Sequence, residues 1–506
     1  MVALFILLGC AEDRPEAPLN GDSTFPALEA EAVFAAGFSA IGERYIDEVA
    51  LAPIALEGVG GLASIDPELA LTAADGLVRM TFGEVRTEEI RRPAETDARG
   101  WARLAVRAIL AAREVSEAVR AASPEKLYEA VFDAALARLD VFSRYAGAEE
   151  TRRLRTQRDG QGEIGIHFRK MSGGAEITLV VLESPAARAG LRANDLIRRI
   201  DGIEIDPLDE ADIARRLAGA VGSTVRLDLL RDQDGREESL ALERALVVPP
   251  TVVAERREDL LLLRVSGFNQ GTAALAADKL AQARKTAPRG VILDLRGNPG
   301  GRLDQAVALA DLFLTQGRIV ATRGRHPQAS QNHDATEDDA APGLPLAVLI
   351  DGRSASAAEI VAAALQDRGR AVLVGTNSYG KGLVQTIVDL PNGAEITLTW
   401  SRYHAPSGYT LHGLGVLPTI CTSAQAGNRG GLAPLLAGDG AAARVLALWR
   451  TMGANATPQR LRPLREACPG EERAGAFDEE IAKRLILEPG LYAKALTLTG
   501  STSIRP

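Results

Sequence analysis

Apolar and polar positions along this chain follow two periods. Over residues 30–49, 102–121 and 124–142, Ala, Leu, Val and Phe recur every three or four positions, which predicts packed helices. From residue 160 the pattern shortens. Runs at 177–182, 194–202 and 222–230, bounded by Gly, Asn and Asp, predict strands and turns, with a short helix and turn at 184–191 and a helix at 209–218. Beyond residue 255, unbroken apolar runs at 260–265, 290–295, Leu346–Ile350 and 371–374 alternate with helical stretches at 271–286, 302–316 and 357–365. Such runs read as strands buried on both faces between helices. A short strand at 319–322, a polar stretch at 323–344 that reads as a mobile loop, and a strand at 395–403 follow. A Gly/Ala-rich connector then leads to helices near 441–452 and 477–485. The fold expected is multidomain α/β: an N-terminal helical region over 25–150, a β-rich domain with two helices over 160–248, an α/β core over 255–420, and a helical C-terminal extension over 421–506. The helical region is separate from the core in sequence and is able to pack on it.

The chain has 506 residues, more than one core accommodates. With 46% hydrophobic and 25% charged residues it reads as a soluble globular protein. A net charge of −9 argues against a nucleic-acid partner. Basic charge is carried by 51 Arg and only 7 Lys. Residues 2–8 form an apolar run ending in Leu7-Leu8-Gly9-Cys10, which resembles a bacterial lipoprotein signal with Cys10 as the lipidated residue, though without the usual basic segment before it. Residues 11–24 read as a tether. No other run is long enough to span a bilayer, so membrane contact is expected only through a lipid anchor. The expected location is the bacterial periplasm or cell envelope after export. In that oxidising compartment Cys421 and Cys468 either pair or remain two small buried hydrophobes. A bridge there would stabilise by about 4 kcal/mol in the chain-entropy model.

Candidate chemistry gathers in two stretches. Arg353-Ser354-Ala355-Ser356-Ala357 follows the Leu346–Ile350 run and precedes a helix, so Ser356 stands at a helix N-terminus, where unpaired backbone N–H groups favour a developing oxyanion. Ser378-Tyr379-Gly380-Lys381-Gly382 lies further on. The 25-residue interval from Ser356 to Lys381, with Gln385 four residues beyond, resembles the carboxyl-terminal processing peptidases, or tail-specific proteases. These are serine proteases with a Ser/Lys dyad and a PDZ domain. Ser354 is two residues too early for that spacing. The resemblance implies Ser356 as nucleophile, Lys381 as base and Gln385 as its support; Asp367, eleven residues after Ser356, reads as structural. Asp294-Leu295-Arg296-Gly297-Asn298-Pro299-Gly300-Gly301 resembles the family's Asp-Leu-Arg-Xaa-Asn-Pro-Gly-Gly motif. No Lys-Ser/Thr follows it, so a phosphate loop is excluded. The resemblance implies an oxyanion hole made of the Ala357 N–H and that of Gly300 or Gly301, with Asp294 and Arg296 pairing structurally. Gly413-Leu414-Gly415-Val416-Leu417-Pro418 resembles the family's closing motif, with Thr419 where Asp is usual. Residues 160–248 resemble a PDZ domain whose Glu163-Ile164-Gly165-Ile166 turn would cradle a peptide's terminal carboxylate. By the same resemblance the core is crotonase-like.

A lysine serves as base only when neutral. Its free pKa is about 10.4, so burial must lower it by roughly three units, which costs about 4 kcal/mol. Arg cannot substitute in that role, and a chain that otherwise avoids Lys keeps one here. None of the five histidines rivals Lys381 in its placement relative to Ser356, and the His/Asp spacing at 323–344 matches no metal-ligand set. No metal or cofactor is expected. The expected function is an endopeptidase that holds protein C-termini through the PDZ domain and cleaves through an acyl-enzyme. Expected partners are protein or peptide substrates with free C-termini, and an adaptor or a second copy of the chain. The alternatives are a non-catalytic PDZ scaffold with a degenerate core, and a crotonase-type acyl-CoA enzyme.

Overall fold

The computed structural model describes residues 25–181, 184–336, 339–424, 432, 441–453, 456–473 and 475–499. The expected signal with Cys10 and the tether lie outside them. The chain divides into two compact units, one comprising residues up to 149 together with 385–399, the other 150–384 and 400–506.

In the first unit, helix Ala27–Arg44 buries Ala30, Val33, Phe34, Phe38 and Ile41 at helical spacing against helix Ala98–Val115. The stretch expected as one helix over 102–121 is two. Ser116 leaves helical geometry and its hydroxyl accepts from the Val119 N–H, capping a new helix, Glu117–Ala121. Helix Pro124–Ala137 stops short of the expected 142, because Asp140 Oδ1 takes the N–H groups of Phe142 and Ser143 at 2.7 Å and turns the chain. The region is not wholly helical. Strands Leu69–Ala74, Leu77–Phe82 and Val85–Arg91 form an antiparallel meander. Asp75-Gly76, both at positive φ, makes its first turn, and Leu69, Val78, Met80 and Ile90 are buried. Strand Arg144–Ala146 pairs with Glu395–Thr397, which is how residues 385–399 come to belong to this unit.

The second unit begins with the β-rich domain expected over 160–248. Strands Ile166–Met171, Gly174–Val180, Leu196–Ile200, Thr224–Leu230 and Glu237–Glu243 form its sheet, with helices Pro185–Arg188 and Glu210–Leu217. Ile164, Ile177, Ile197, Ile213, Leu217 and Leu227 fill the interior.

The α/β core is a six-stranded sheet in the order Val252–Arg257, Leu260–Val265, Gly290–Asp294, Leu346–Ile350, Val372–Gly375 and Ile420–Cys421. The first pair is antiparallel and the rest are parallel. One face carries Leu263, Leu293, Val348 and Ile350, packed with residues of helices Leu303–Asp311 and Ala357–Asp367. The other carries Leu262, Ile292, Leu349 and Val374, packed with Ile481, Leu485, Ile486 and Leu491. The C-terminal extension, whose purpose the sequence left open, therefore covers the second face of the sheet through helices Phe477–Leu487 and Pro489–Leu498. The 323–344 stretch is not wholly a loop: Gln331–Asp334 pairs antiparallel with strand Arg318–Arg323.

Candidate active site

Each parallel strand delivers a loop at its C-terminal end, and three of these loops converge. The first follows Gly290–Asp294. Asp294 and Arg296 form the expected ion pair at 2.9 Å, both nearly inaccessible to solvent. Burial opposes ionisation of Asp294, but Arg296 outweighs it and holds the carboxyl below its ordinary value. Beyond them Asn298 is fully buried, with Nδ2 donating to Val265 O at 2.8 Å and Oδ1 accepting the Gly300 N–H at 2.8 Å. Gly300 has φ +102°, and a methyl group there would lie 2.8 Å from Ser356 Cβ and 3.1 Å from Ala357 N. Only glycine lets this loop approach the serine so closely. Gly301 makes a parallel bridge to Phe268. Phe268 N donates to Gly300 O, and Arg302 N donates to Phe268 O. The Gly301 N–H thus faces away from Phe268, and it has no acceptor among the described residues.

The second loop follows Leu346–Ile350. Asp351 Oδ1 accepts the N–H groups of Gly297, Arg353 and Ser354 at 2.9–3.0 Å, tying this loop to the first. Ser354 is fully buried, and its hydroxyl donates to Leu295 O at 2.8 Å. Ser356 differs in kind. It stands just before helix Ala357–Asp367 with φ +54° and ψ −113°, a conformation uncommon for a residue with a side chain. Tyr403, fully buried nearby, has its hydroxyl pushed up to about 12 by burial, with Ser356 acting in the opposite direction. Ala357, next in line, occupies the first helical position, where the backbone N–H has no acceptor within the helix.

The third loop, Ser378 to Gly382, follows Val372–Gly375. Lys381 is half-buried between two glycines. A side chain at Gly382 would lie 2.1 Å from His412 N, and one at Gly380 would lie 3.1 Å from Arg465 Nη1. Gln385 lies on strand Leu383–Asp389, its Nε2 buried without an acceptor among the described residues.

A residue to which the sequence reading gives no role joins the second and third loops. Glu359, with no exposed surface, accepts four hydrogen bonds. Its Oε1 takes the Ser378 hydroxyl at 2.5 Å and the Gly380 N–H at 2.7 Å. Its Oε2 takes the N–H groups of Ser356 at 2.7 Å and Lys381 at 2.9 Å. Burial pushes this carboxyl up, and the four donors pull the other way. The signal was present as Ser356-Ala357-Ala358-Glu359, the spacing of a helix capping box. Asp367 is buried beside Arg450 at 2.8 Å and accepts from Ser407, a packing role.

In the β-rich domain, Gly165 at φ +80° brings the Glu163 to Ile166 turn against Ser184, where a methyl group would lie 2.3 Å from Ser184 Cβ. Ile164 O and Gly165 O accept from Ala186 N and Val181 N. A groove of about 300 Å³ opens beside the turn, lined by Ile164, Ile166, Phe168, Ala214 and Leu217 among others. Cys421 and Cys468 are joined, S–S 2.09 Å.

The chain is similar to known proteins. Residues 259–422 match Peptidase family S41, and residues 176–231 match a PDZ domain family. A carboxy-terminal-processing protease of Bartonella bacilliformis is 35% identical over 301 residues, 58% of this chain and 69% of that protein. A carboxyl-terminal-processing protease of Synechocystis sp. is 34% identical over 303 residues, 58% of this chain and 70% of that protein. Among solved structures, a photosystem II D1 C-terminal processing protease aligns at 27% identity and TM-score 0.35, over 57% of this chain and 81% of that one. The class is thus a serine-type peptidase carrying a PDZ domain, acting on protein or peptide substrates. The chain belongs to peptidase family S41, the carboxy-terminal-processing proteases.

Proposed function

We propose that this peptidase works through Ser356 and Lys381, and that its PDZ domain selects substrates by their free C-termini. The neutral Lys381 amine takes the Ser356 hydroxyl proton as Oγ attacks the scissile carbonyl carbon. The resulting oxyanion is met by the N–H groups of Ala357 and Gly301, since that of Gly300 is committed to Asn298. Collapse expels the new amine, which takes the proton back from Lys381. Water then repeats the sequence on the acyl-Ser356 ester and frees the enzyme. Gln385 orients the lysine amine. The observation that carries this reading is the Glu359 carboxylate, one oxygen of which holds the backbones of both Ser356 and Lys381.

The PDZ part of the reading rests on the glycine turn and the apolar groove beside it. Backbone N–H groups there suit a terminal carboxylate, and Ile164, Phe168 and Leu217 suit an apolar last side chain. Export with lipidation at Cys10, to the periplasm or cell envelope, completes the proposal and rests on the apolar run before Cys10.

Cleavage of an unstructured protein by wild type, Ser356→Ala, Lys381→Ala and Ser354→Ala tests the dyad. Loss of activity in the first two variants and retention in Ser354→Ala is expected. Full activity in Ser356→Ala overturns it. Amidation of the substrate's C-terminus is expected to slow cleavage, and an unchanged rate counts against carboxylate capture.

A further inference from the structure

The chain beyond the parallel sheet returns to the three converging loops from behind. Strand Ile420–Cys421 pairs Cys421 with Gly375, and the disulfide ties it to Cys468. Immediately before the bridge, helix Pro458–Arg465 delivers Arg465. Its Nη1 donates to Leu414 O at 2.7 Å and its Nη2 to Ser378 O at 3.3 Å. Immediately after the bridge, Glu471 N donates to Thr376 Oγ1 at 3.1 Å, and Gly352 N donates to Glu471 O at 2.8 Å. Arg473 N then donates to Asp351 Oδ2 at 3.1 Å, and Gly475 O accepts from Arg296 at 2.8 Å. One short run of chain thus touches all three loops.

Ser378 is where these contacts bear on the chemistry. Its hydroxyl is held by Glu359 and its carbonyl by Arg465. Two peptides later comes Lys381. A swing of the Ser378 peptide would move the lysine relative to Ser356, and a displacement of about 1 Å at a reacting group costs about a hundredfold in rate.

We propose that Arg465 is a positioning residue for the lysine loop and that the Cys421–Cys468 bond holds it in register, so that turnover depends on the oxidised bridge. The inference rests on the Ser356/Lys381 reading. Cys468 is buried while Cys421 is partly exposed, so a reductant reaches the bond through Cys421. Reduction by a dithiol such as dithiothreitol breaks the S–S bond. Two electrons and two protons pass to the cysteines, leaving two thiols, and the dithiol leaves as its own cyclic disulfide.

The test compares full-chain enzyme in five forms: oxidised wild type, wild type reduced by dithiothreitol with both thiols counted, Cys421→Ser/Cys468→Ser, Arg465→Gln and Arg465→Lys. For each, kcat and KM on an unstructured protein and the rate of fluorophosphonate labelling are measured well below the unfolding transition. Breaking the bridge is expected to lower kcat and labelling by about tenfold or more with KM within about twofold. Arg465→Gln is expected to do the same, and Arg465→Lys to restore part of the rate. Reduced wild type and Arg465→Gln that both keep kcat and labelling within about twofold overturn the proposal, as does a loss that only tracks the unfolded fraction. If the double cysteine variant does not fold, reduced wild type and the Arg465 variants decide. Ser356→Ala is run in parallel, and its turnover tests the nucleophile assignment by itself, so the two failures are read separately.

Discussion

The Ser356 backbone N–H donates to the Glu359 carboxylate at 2.7 Å, and this bond holds the serine at φ +54°. The same carboxylate oxygen takes the Lys381 N–H. Glu359 is therefore a four-donor hub, and an amide in its place would present N–H groups to N–H groups. Glu359→Gln is expected to cost about 2–3 kcal/mol in stability, from buried donors left unpaired. It is also expected to lower kcat by about a hundredfold or more, with KM little changed. Urea unfolding and steady-state kinetics check both.

Gly300 offers a steric prediction. A methyl group there would press on Ser356 Cβ at 2.8 Å and on Ala355 O at 2.9 Å, in a backbone region unfavourable to alanine. Gly300→Ala is expected to leave PDZ peptide binding intact and to lower kcat by about a hundredfold. Kinetics alongside calorimetric peptide binding separate the two effects.

The Asp294–Arg296 pair makes stability depend on pH. The folded Asp294 pKa lies below its ordinary 3.8. Its contribution is fully present above that value and is lost as the pH falls through the lower, folded value. Asp294→Asn is expected to destabilise by about 3 kcal/mol at neutral pH. The gap to wild type narrows only below pH 3.8, which denaturant midpoints across an acid series will show.

The PDZ turn gives a prediction independent of the chemistry. Gly165→Val forces a branched side chain onto Ser184 at positive φ. Loss of binding to a peptide with a free C-terminus is expected, while fluorophosphonate labelling stays at the wild-type rate. Fluorescence anisotropy with free and amidated peptides measures the first.

Much of the core was legible because its strands are buried on both faces, and their unbroken apolar runs stand out between helices. Leu346–Ile350 and the helix after it were read nearly to the residue, and that placed Ser356. The β-meander at residues 69–91 was missed because Ala- and Leu-rich helices flank it, although Asp75-Gly76 inside it is a hairpin signal. The strand Gln331–Asp334 was missed because its side chains are polar and its stability comes from pairing. Glu359 was missed for a different reason. Its capping-box spacing from Ser356 is visible in the sequence, but its bonds to Ser378, Gly380 and Lys381, 19 to 22 residues away, leave no pattern there. Between Gly300 and Gly301 as the candidate oxyanion donor, sequence offers no choice, since what separates them is where each N–H points.

The central assignment is tested most directly by acylation with a fluorophosphonate, with the adduct mapped by mass spectrometry and its rate compared in wild type and Lys381→Ala. A single adduct on Ser356 is predicted, formed about a thousandfold more slowly or worse without the lysine. An adduct on another serine, or an unchanged rate in Lys381→Ala, would contradict the assignment.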